Sequence, residues 1–103
     1  MQYNTIAVKR ENEVDWLTLN RPETLNALND EMIRELNAYF ESLILDPDCR
    51  IVVLRGAGKG FCSGLDLMAS EDQLLNGVMP AYDPNAPSLS KLLLLMRRCP
   101  QPV

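Results

Sequence analysis

Residues 56–67 have the sequence GAGKGFCSGLDL and follow the apolar run IVVL at positions 51–54. Four of the five glycines of the chain lie in this stretch, which we call the glycine loop. Glycine accepts positive φ and lets a ligand approach the main chain, so glycines between a buried strand and a helix start indicate a binding loop. If Gly64 ends the loop, the N–H groups of Leu65 and Asp66 lie at a helix N-terminus, where they favour an anion or an oxyanion.

Two standard phosphate-binding loops do not fit this stretch. A Walker loop requires glycine five positions before the Gly58-Lys59 pair and Ser or Thr after it, but Val53 and Gly60 stand there. A dinucleotide-binding loop needs its third glycine where Phe61 stands. Nucleotide hydrolysis is therefore disfavoured, while a glycine-rich turn of purely structural use stays open as an alternative.

Two segments of the chain together carry a family resemblance. The glycine loop resembles G-x-G-x-x-F-[CSA]-[SA]-G-x-D-[LI] of the enoyl-CoA hydratase/isomerase, or crotonase, superfamily at every defined position. Residues 19–28, LNRPETLNAL, resemble the upstream L-N-R-P-x-x-x-N-A-L segment of that superfamily; we call them the NRP segment. The resemblance implies an α/β fold in which residues 1–103 are the N-terminal part of one domain and form the first turn of its β-β-α spiral.

The resemblance also implies a substrate and a set of site residues. The expected ligand is an acyl-CoA or enoyl-CoA thioester, with coenzyme A entering as part of the substrate, no permanently bound cofactor and no metal. The expected catalytic group is the backbone N–H of Leu65, one of two oxyanion donors; the second is expected beyond residue 103. The expected substrate-binding residues are Glu23, Leu25, Ala27, Cys62, Gly64, Leu65, Asp66 and Leu67. Many relatives carry Lys at position 23, so Arg21 or Lys59 is the candidate for a phosphate contact.

Several of these residues have plain alternatives. Cys62 is interpreted as structural rather than nucleophilic, because the chain contains no histidine to activate a thiol. Asp66 is equally compatible with a first-turn acid that the helix dipole favours, and Arg21 with a solvated surface charge. Acidic residues predicted to be solvated rather than catalytic are Glu11, Glu13, Asp15, Asp30, Glu31 and Glu35.

The expected activity belongs to the parent protein, a lyase or isomerase of fatty acid metabolism that assembles as a homotrimer or hexamer. The family's catalytic carboxylates are expected beyond residue 103, so the isolated fragment should be inactive. Residues 51–54 and 92–96 should each lack part of their cover in this fragment, which should therefore self-associate through its unfinished core. The alternative is a non-catalytic scaffold or interaction module of the same fold.

Composition limits the partners. Ten Lys and Arg against 14 Asp and Glu give a net charge of −4, which argues against a nucleic acid or an anionic membrane as partner. No apolar run approaches the roughly 20 residues of a membrane span, and the N-terminus lacks a signal pattern, so a cytoplasmic location is the default expectation. Three widely spaced cysteines predict reduced thiols.

Hydrophobic periodicity predicts the order of the elements. Residues 5–10 and 14–19 are predicted to form a hairpin, followed by a helix that Asn29 caps and Pro47 ends. Residues 51–54 predict a strand covered on both faces. A mobile segment is expected at 69–87, then a buried helix at 89–98 capped by Ser88, and residues 101–103 are expected to begin another strand.

Overall fold

The computed structural model describes residues 2–64 and 88–103. In these residues the strands β1 (Ile6–Glu11), β2 (Val14–Leu19) and β3 (Ile51–Gly56) form one sheet in the order β1-β2-β3. Helix α1 (Asp30–Leu43) connects β2 to β3, helix α2 (Leu89–Arg98) packs on α1, and a 3-10 helix (Pro22–Thr24) follows β2. The predicted α/β class and the order strand, strand, helix, strand are confirmed.

A two-residue turn joins the first two strands. Asn12 and Glu13 have φ of 51° and 68°, and a turn with two positive φ values suits the twist of an antiparallel hairpin. β2 and β3 pair in parallel with Asp15 beside Val52, so α1 makes the crossover that a parallel pair requires. The predicted hairpin is confirmed, with β1 beginning one residue later, at Ile6.

The core lies between one face of the sheet and the two helices. Leu17 and Leu19 alternate inward along β2, and Phe40 of α1 packs in the same cluster. Asn29 caps α1 as predicted, because its Oδ1 accepts the N–H of Met32 at 2.9 Å. The helix ends at Leu43, earlier than the Pro47 boundary that the sequence suggested.

Two apolar elements are only partly covered in the described residues, which agrees with the expectation for residues 51–54 and 92–96 of this chain. In β3 only Val52 is fully buried, and Ile51 is 45% exposed. Helix α2 is capped by Ser88 as predicted, but Leu93 and Leu94 are 55% and 50% exposed. Residues 51–54 and 92–95 place apolar side chains on every side of their element, but each element packs against the rest of the described residues on one side only.

The chain beyond α2 returns to the sheet. The N–H of Val52 donates to the carbonyl oxygen of Pro102 at 2.9 Å, so Pro102 lies beside β3, but residues 101–103 do not form the predicted strand. The predicted mobile segment at 69–87 falls outside the described residues. Among the described residues, no helix is both long and apolar enough to cross a membrane.

The prediction that Asp15 is solvated is wrong. Asp15 is fully buried and accepts hydrogen bonds from Arg10 Nε at 2.6 Å, Arg10 Nη2 at 3.0 Å and the Tyr39 hydroxyl at 2.6 Å. Burial raises the pKa of the Asp15 carboxyl, but the hydrogen bonds from Arg10 and Tyr39 outweigh burial and hold that pKa below its usual range. The cluster therefore links the hairpin to α1.

Glu35 is likewise a structural acid. Its carboxylate accepts the backbone N–H of Asn4 at 2.8 Å, the backbone N–H of Thr5 at 2.7 Å and the Thr5 hydroxyl at 2.6 Å. Burial raises the pKa of the Glu35 carboxyl, but these hydrogen bonds outweigh burial and leave the pKa below its usual value. Glu35 thus ties the N-terminal residues to α1.

Candidate functional site

The NRP segment and the glycine loop lie against each other. The N–H of Ser63 donates to Leu25 O at 3.0 Å, and the N–H of Leu28 donates to Gly64 O at 2.7 Å. At the other end of the loop, the N–H of Ala57 donates to Leu19 O at 2.8 Å. Two motifs that are more than 25 residues apart in the sequence therefore form one structural unit.

Asn26 joins the two segments through its side chain. It is fully buried, and its Nδ2 donates to Ala57 O at 2.9 Å and to Gly60 O at 3.0 Å. Its Oδ1 accepts the backbone N–H of Arg21 at 2.8 Å. Sequence reasoning placed Asn26 in the motif without giving it a role. The available signal was its residue type, because Asn tolerates the left-handed backbone that it adopts here, with φ of 58°.

Leu25 occupies an unusual backbone conformation. It follows the 3-10 helix, has φ of 53° and ψ of 39°, and is 50% exposed. A left-handed conformation at a residue other than glycine costs of the order of 1–3 kcal/mol and persists where neighbouring contacts hold it. The bonds of Leu25 O to Ser63 and of the adjacent Asn26 side chain to the loop provide those contacts.

Gly64 combines a positive φ with open space on the side where a Cβ would lie. Its φ is +101°, and a Cβ built on it would meet no atom within 4 Å among the described residues. Its N–H donates to Cys62 Sγ at 3.4 Å, so Cys62 supports the loop, in keeping with the structural interpretation of this cysteine. All three cysteines carry free thiols, as predicted. The predicted site residues Leu65, Asp66 and Leu67 lie outside the described residues.

The remaining predicted site residues fall into two groups. Glu23 is exposed on the 3-10 helix, whereas Ala27 is buried. Arg21 Nη1 donates to Ala27 O at 2.5 Å, so the interpretation of Arg21 as a solvated surface charge is wrong. Lys59, at the tip of the glycine loop, is exposed.

An apolar cavity of about 220 Å³ lies beneath the glycine loop. Phe61 and Cys62 line it from the loop, and Leu28 lines it from the NRP segment. The other lining residues come from the core and from α2: Leu19, Leu36, Phe40, Leu54, Leu89, Leu92, Leu93 and Met96. No polar surface contributes to its wall, so it suits an alkyl group better than a charged one.

The tight base of the loop gives a first testable prediction. A Cβ at Gly56 would lie 2.5 Å from Phe61 O and 2.6 Å from Gly60 O, so Gly56→Ala forces the backbone apart. We expect a loss of about 1–3 kcal/mol in the free energy of unfolding, measured by denaturant titration. Gly60→Ala is the matched control, because its Cβ meets the Leu25 side chain at an ordinary 3.9 Å. Equal losses in the two variants would contradict the described loop geometry.

The sequence of this chain is similar to those of known enzymes. A family model described as enoyl-CoA hydratase/isomerase matches residues 14–103. A probable enoyl-CoA hydratase of Mycobacterium bovis is 39% identical over 72 residues, covering 70% of this chain and 28% of the relative. The mitochondrial Delta(3,5)-Delta(2,4)-dienoyl-CoA isomerase of Mus musculus is 39% identical over 95 residues, covering 82% of this chain and 28% of the relative.

Solved structures agree with the sequence relatives. An enoyl-CoA hydratase from Mycobacterium marinum superposes with a TM-score of 0.80 at 28% identity, covering 96% of this chain and 46% of that one. An enoyl-CoA hydratase/isomerase from Pseudoalteromonas atlantica T6c gives 0.77 at 31% identity, covering 96% and 37%. The chain thus spans less than half the length of each of these four proteins. It belongs to the enoyl-CoA hydratase/isomerase family of the crotonase superfamily.

Proposed function

We propose that the protein to which this chain belongs binds an acyl-CoA or enoyl-CoA thioester and stabilises its enolate in an oxyanion hole, as a hydratase or an isomerase. Leu65, which follows Gly64 in the sequence, supplies one backbone N–H to the thioester oxygen. As negative charge develops on that oxygen, the hydrogen bond strengthens, and one such donor contributes about 3–4 kcal/mol to transition-state stabilisation.

The observation that carries this proposal is the open face of Gly64. A flat thioester group has to approach the main chain closely before a backbone N–H can reach its oxygen, and any side chain at position 64 would project into that space. The left-handed φ of +101° and the bond from Leu28 N–H to Gly64 O hold the residue in this orientation. The adjacent Leu65 N–H then acts without reorganisation during the reaction.

The acyl chain and the coenzyme A group need different surroundings. The apolar cavity of about 220 Å³ beneath the loop offers space for the alkyl part of the substrate. For the phosphates, Lys59 is the better candidate, because Arg21 already donates to Ala27 O and Glu23 carries the wrong charge. The exposed Leu25 lies beside Gly60, the residue after Lys59, and offers an apolar contact to the coenzyme A portion of the substrate.

A binding experiment tests this proposal directly. Titration of the full-length protein with butanoyl-CoA in a calorimeter should give saturable binding, and free coenzyme A should bind more weakly because it leaves the apolar cavity empty. Lys59→Ala should weaken the binding of butanoyl-CoA and of free coenzyme A by a similar factor, since Lys59 would contact the phosphates that both ligands carry. Absence of saturable binding by butanoyl-CoA would remove the acyl-CoA assignment and favour a non-catalytic scaffold.

A further inference from the structure

One side chain holds the first residues of the glycine loop. The carbonyl groups of Ala57 and Gly60 lie beyond the end of β3, and the two protons of Asn26 Nδ2 satisfy them at 2.9 and 3.0 Å. A fully buried carbonyl that loses its partner costs about 1–3 kcal/mol, and these two carbonyls are partly buried. The two hydrogen bonds therefore stabilise the conformation of the loop between these carbonyls.

Ser63 and Gly64, later in the loop, are held by the neighbours of Asn26. Leu25 O accepts the N–H of Ser63, and the N–H of Leu28 donates to Gly64 O. Two hydrogen bonds to the main chain of Arg21 hold Asn26 in place. Its Oδ1 accepts the Arg21 N–H, and its own N–H donates to Arg21 O, each at 2.8 Å. A displacement of Asn26 would therefore be passed to Gly64 through the main chain on either side of it.

We propose that Asn26 is a positioning residue of the acyl-CoA site, which holds the glycine loop so that Gly64 and the following N–H meet the thioester oxygen. Its effect on catalysis rests on the proposed function. The two Asn26 Nδ2 hydrogen bonds, which we call the clamp, do not depend on that function. Asn26 touches no substrate; it acts through the carbonyls of Ala57 and Gly60 and through its neighbours in the NRP segment.

Asn26→Asp tests the clamp with almost no change in shape. The acceptor for the Arg21 N–H remains, Asp tolerates φ of 58°, and only the two donors are replaced by an oxygen that repels both carbonyls. A misplacement of about 1 Å costs roughly 100-fold in rate, so we expect kcat in the full-length protein to fall by about that factor. KM should change much less, because most of the wall of the apolar cavity comes from the core and from α2 rather than from the loop.

Asn12→Asp is the matched control. Asn12 is also a left-handed residue, with φ of 51°, but it is exposed in the hairpin turn, so kcat should not change. Asn26→Gly serves as the second variant, since glycine accepts this backbone conformation and removes the donors, together with the Oδ1 acceptor of the Arg21 N–H, without adding charge. It should show the same loss of kcat with the same small change in KM.

Hydrogen exchange separates positioning from a general loss of stability. In Asn26→Asp and Asn26→Gly, the amides of residues 57–64 should exchange faster while those of α1 keep their wild-type rates. A uniform increase over the loop and α1, or unchanged loop exchange with unchanged kcat, would overturn the proposal. If the wild-type protein neither hydrates but-2-enoyl-CoA nor isomerises but-3-enoyl-CoA, the proposed function fails, and loop exchange alone still decides whether Asn26 is the clamp.

Discussion

Gly64→Pro in the full-length protein should lower kcat for an enoyl-CoA substrate by about 100-fold or more. Proline fixes φ near −65°, which is incompatible with the φ of +101° at this position, so the loop must rearrange. Loss of one oxyanion donor costs about 100- to 1000-fold in kcat, and the rearrangement moves the Leu65 N–H away from the thioester. Steady-state kinetics, with a melting curve to confirm folding, provides the measurement.

Two further variants calibrate this result. The kcat of Gly64→Ala should lie between those of the wild type and Gly64→Pro. An L-residue is strained at this φ, although its Cβ would meet no described atom within 4 Å. Cys62→Ala should keep most of the activity, since its thiol contributes only the weak bond from Gly64 N–H at 3.4 Å. If folded Cys62→Ala lost its turnover while Gly64→Pro kept it, a nucleophilic thiol would replace the backbone donor as the explanation.

Arg10→Ala should lower the free energy of unfolding by about 3 kcal/mol at neutral pH. The change leaves the carboxylate of Asp15 buried without its cation, and breaking a buried pair in this way typically costs about 3–5 kcal/mol. We expect the lower end because the Arg10 side chain is 38% exposed, so water can reach part of the vacated space. Urea unfolding of the full-length protein measures the loss.

The same variant should show a distinctive pH dependence. In the wild type the folded-state pKa of Asp15 is depressed, so its stabilising contribution is present above the unfolded-state pKa of about 4 and is lost as pH falls through the folded value. In Arg10→Ala burial dominates and raises the folded-state pKa, so the penalty disappears on acidification. The stability gap between the two proteins should therefore narrow as pH falls from 7 towards 4.

Arg50→Ala is the control for the loss of an arginine. Arg50 pairs with Glu13 at 2.9 Å, but their side chains are 76% and 55% exposed, and exposed pairs contribute less than about 1 kcal/mol. An Arg10→Ala loss no larger than that of Arg50→Ala, or a gap that widens on acidification, would show that Asp15 is not held as a buried carboxylate.

The elements that the sequence predicts correctly depend on local signals. The hairpin follows from two alternating runs around a short polar turn, and the start of α1 follows from Asn29 and the acids after it. The burial of Asp15 was also readable in principle. Asp15 is in phase with Leu17 and Leu19, so the period of two already placed its side chain on the inner face of β2.

The features that the sequence could not predict depend on contacts between distant residues. The Asn26 side chain donates to carbonyl oxygens that are 31 and 34 positions away in the sequence. A local pattern cannot predict which distant backbone groups will lie beside this side chain. The exposure of Ile51 and Leu93 is decided by which neighbours cover each side of the element, and an apolar run does not state this. The motif resemblance located the site, while the way in which its two segments are held together required the structure.

The most direct test of enolate stabilisation is the infrared spectrum of the bound thioester carbonyl. With ¹³C at the carbonyl carbon of but-2-enoyl-CoA, a difference spectrum isolates this one band in the complex with the full-length protein. We predict a shift to lower wavenumber on binding, because N–H donors at the glycine loop polarise the carbonyl, and a smaller shift in Gly64→Pro. Saturable binding with the carbonyl band at its position in water would contradict an oxyanion site at this loop.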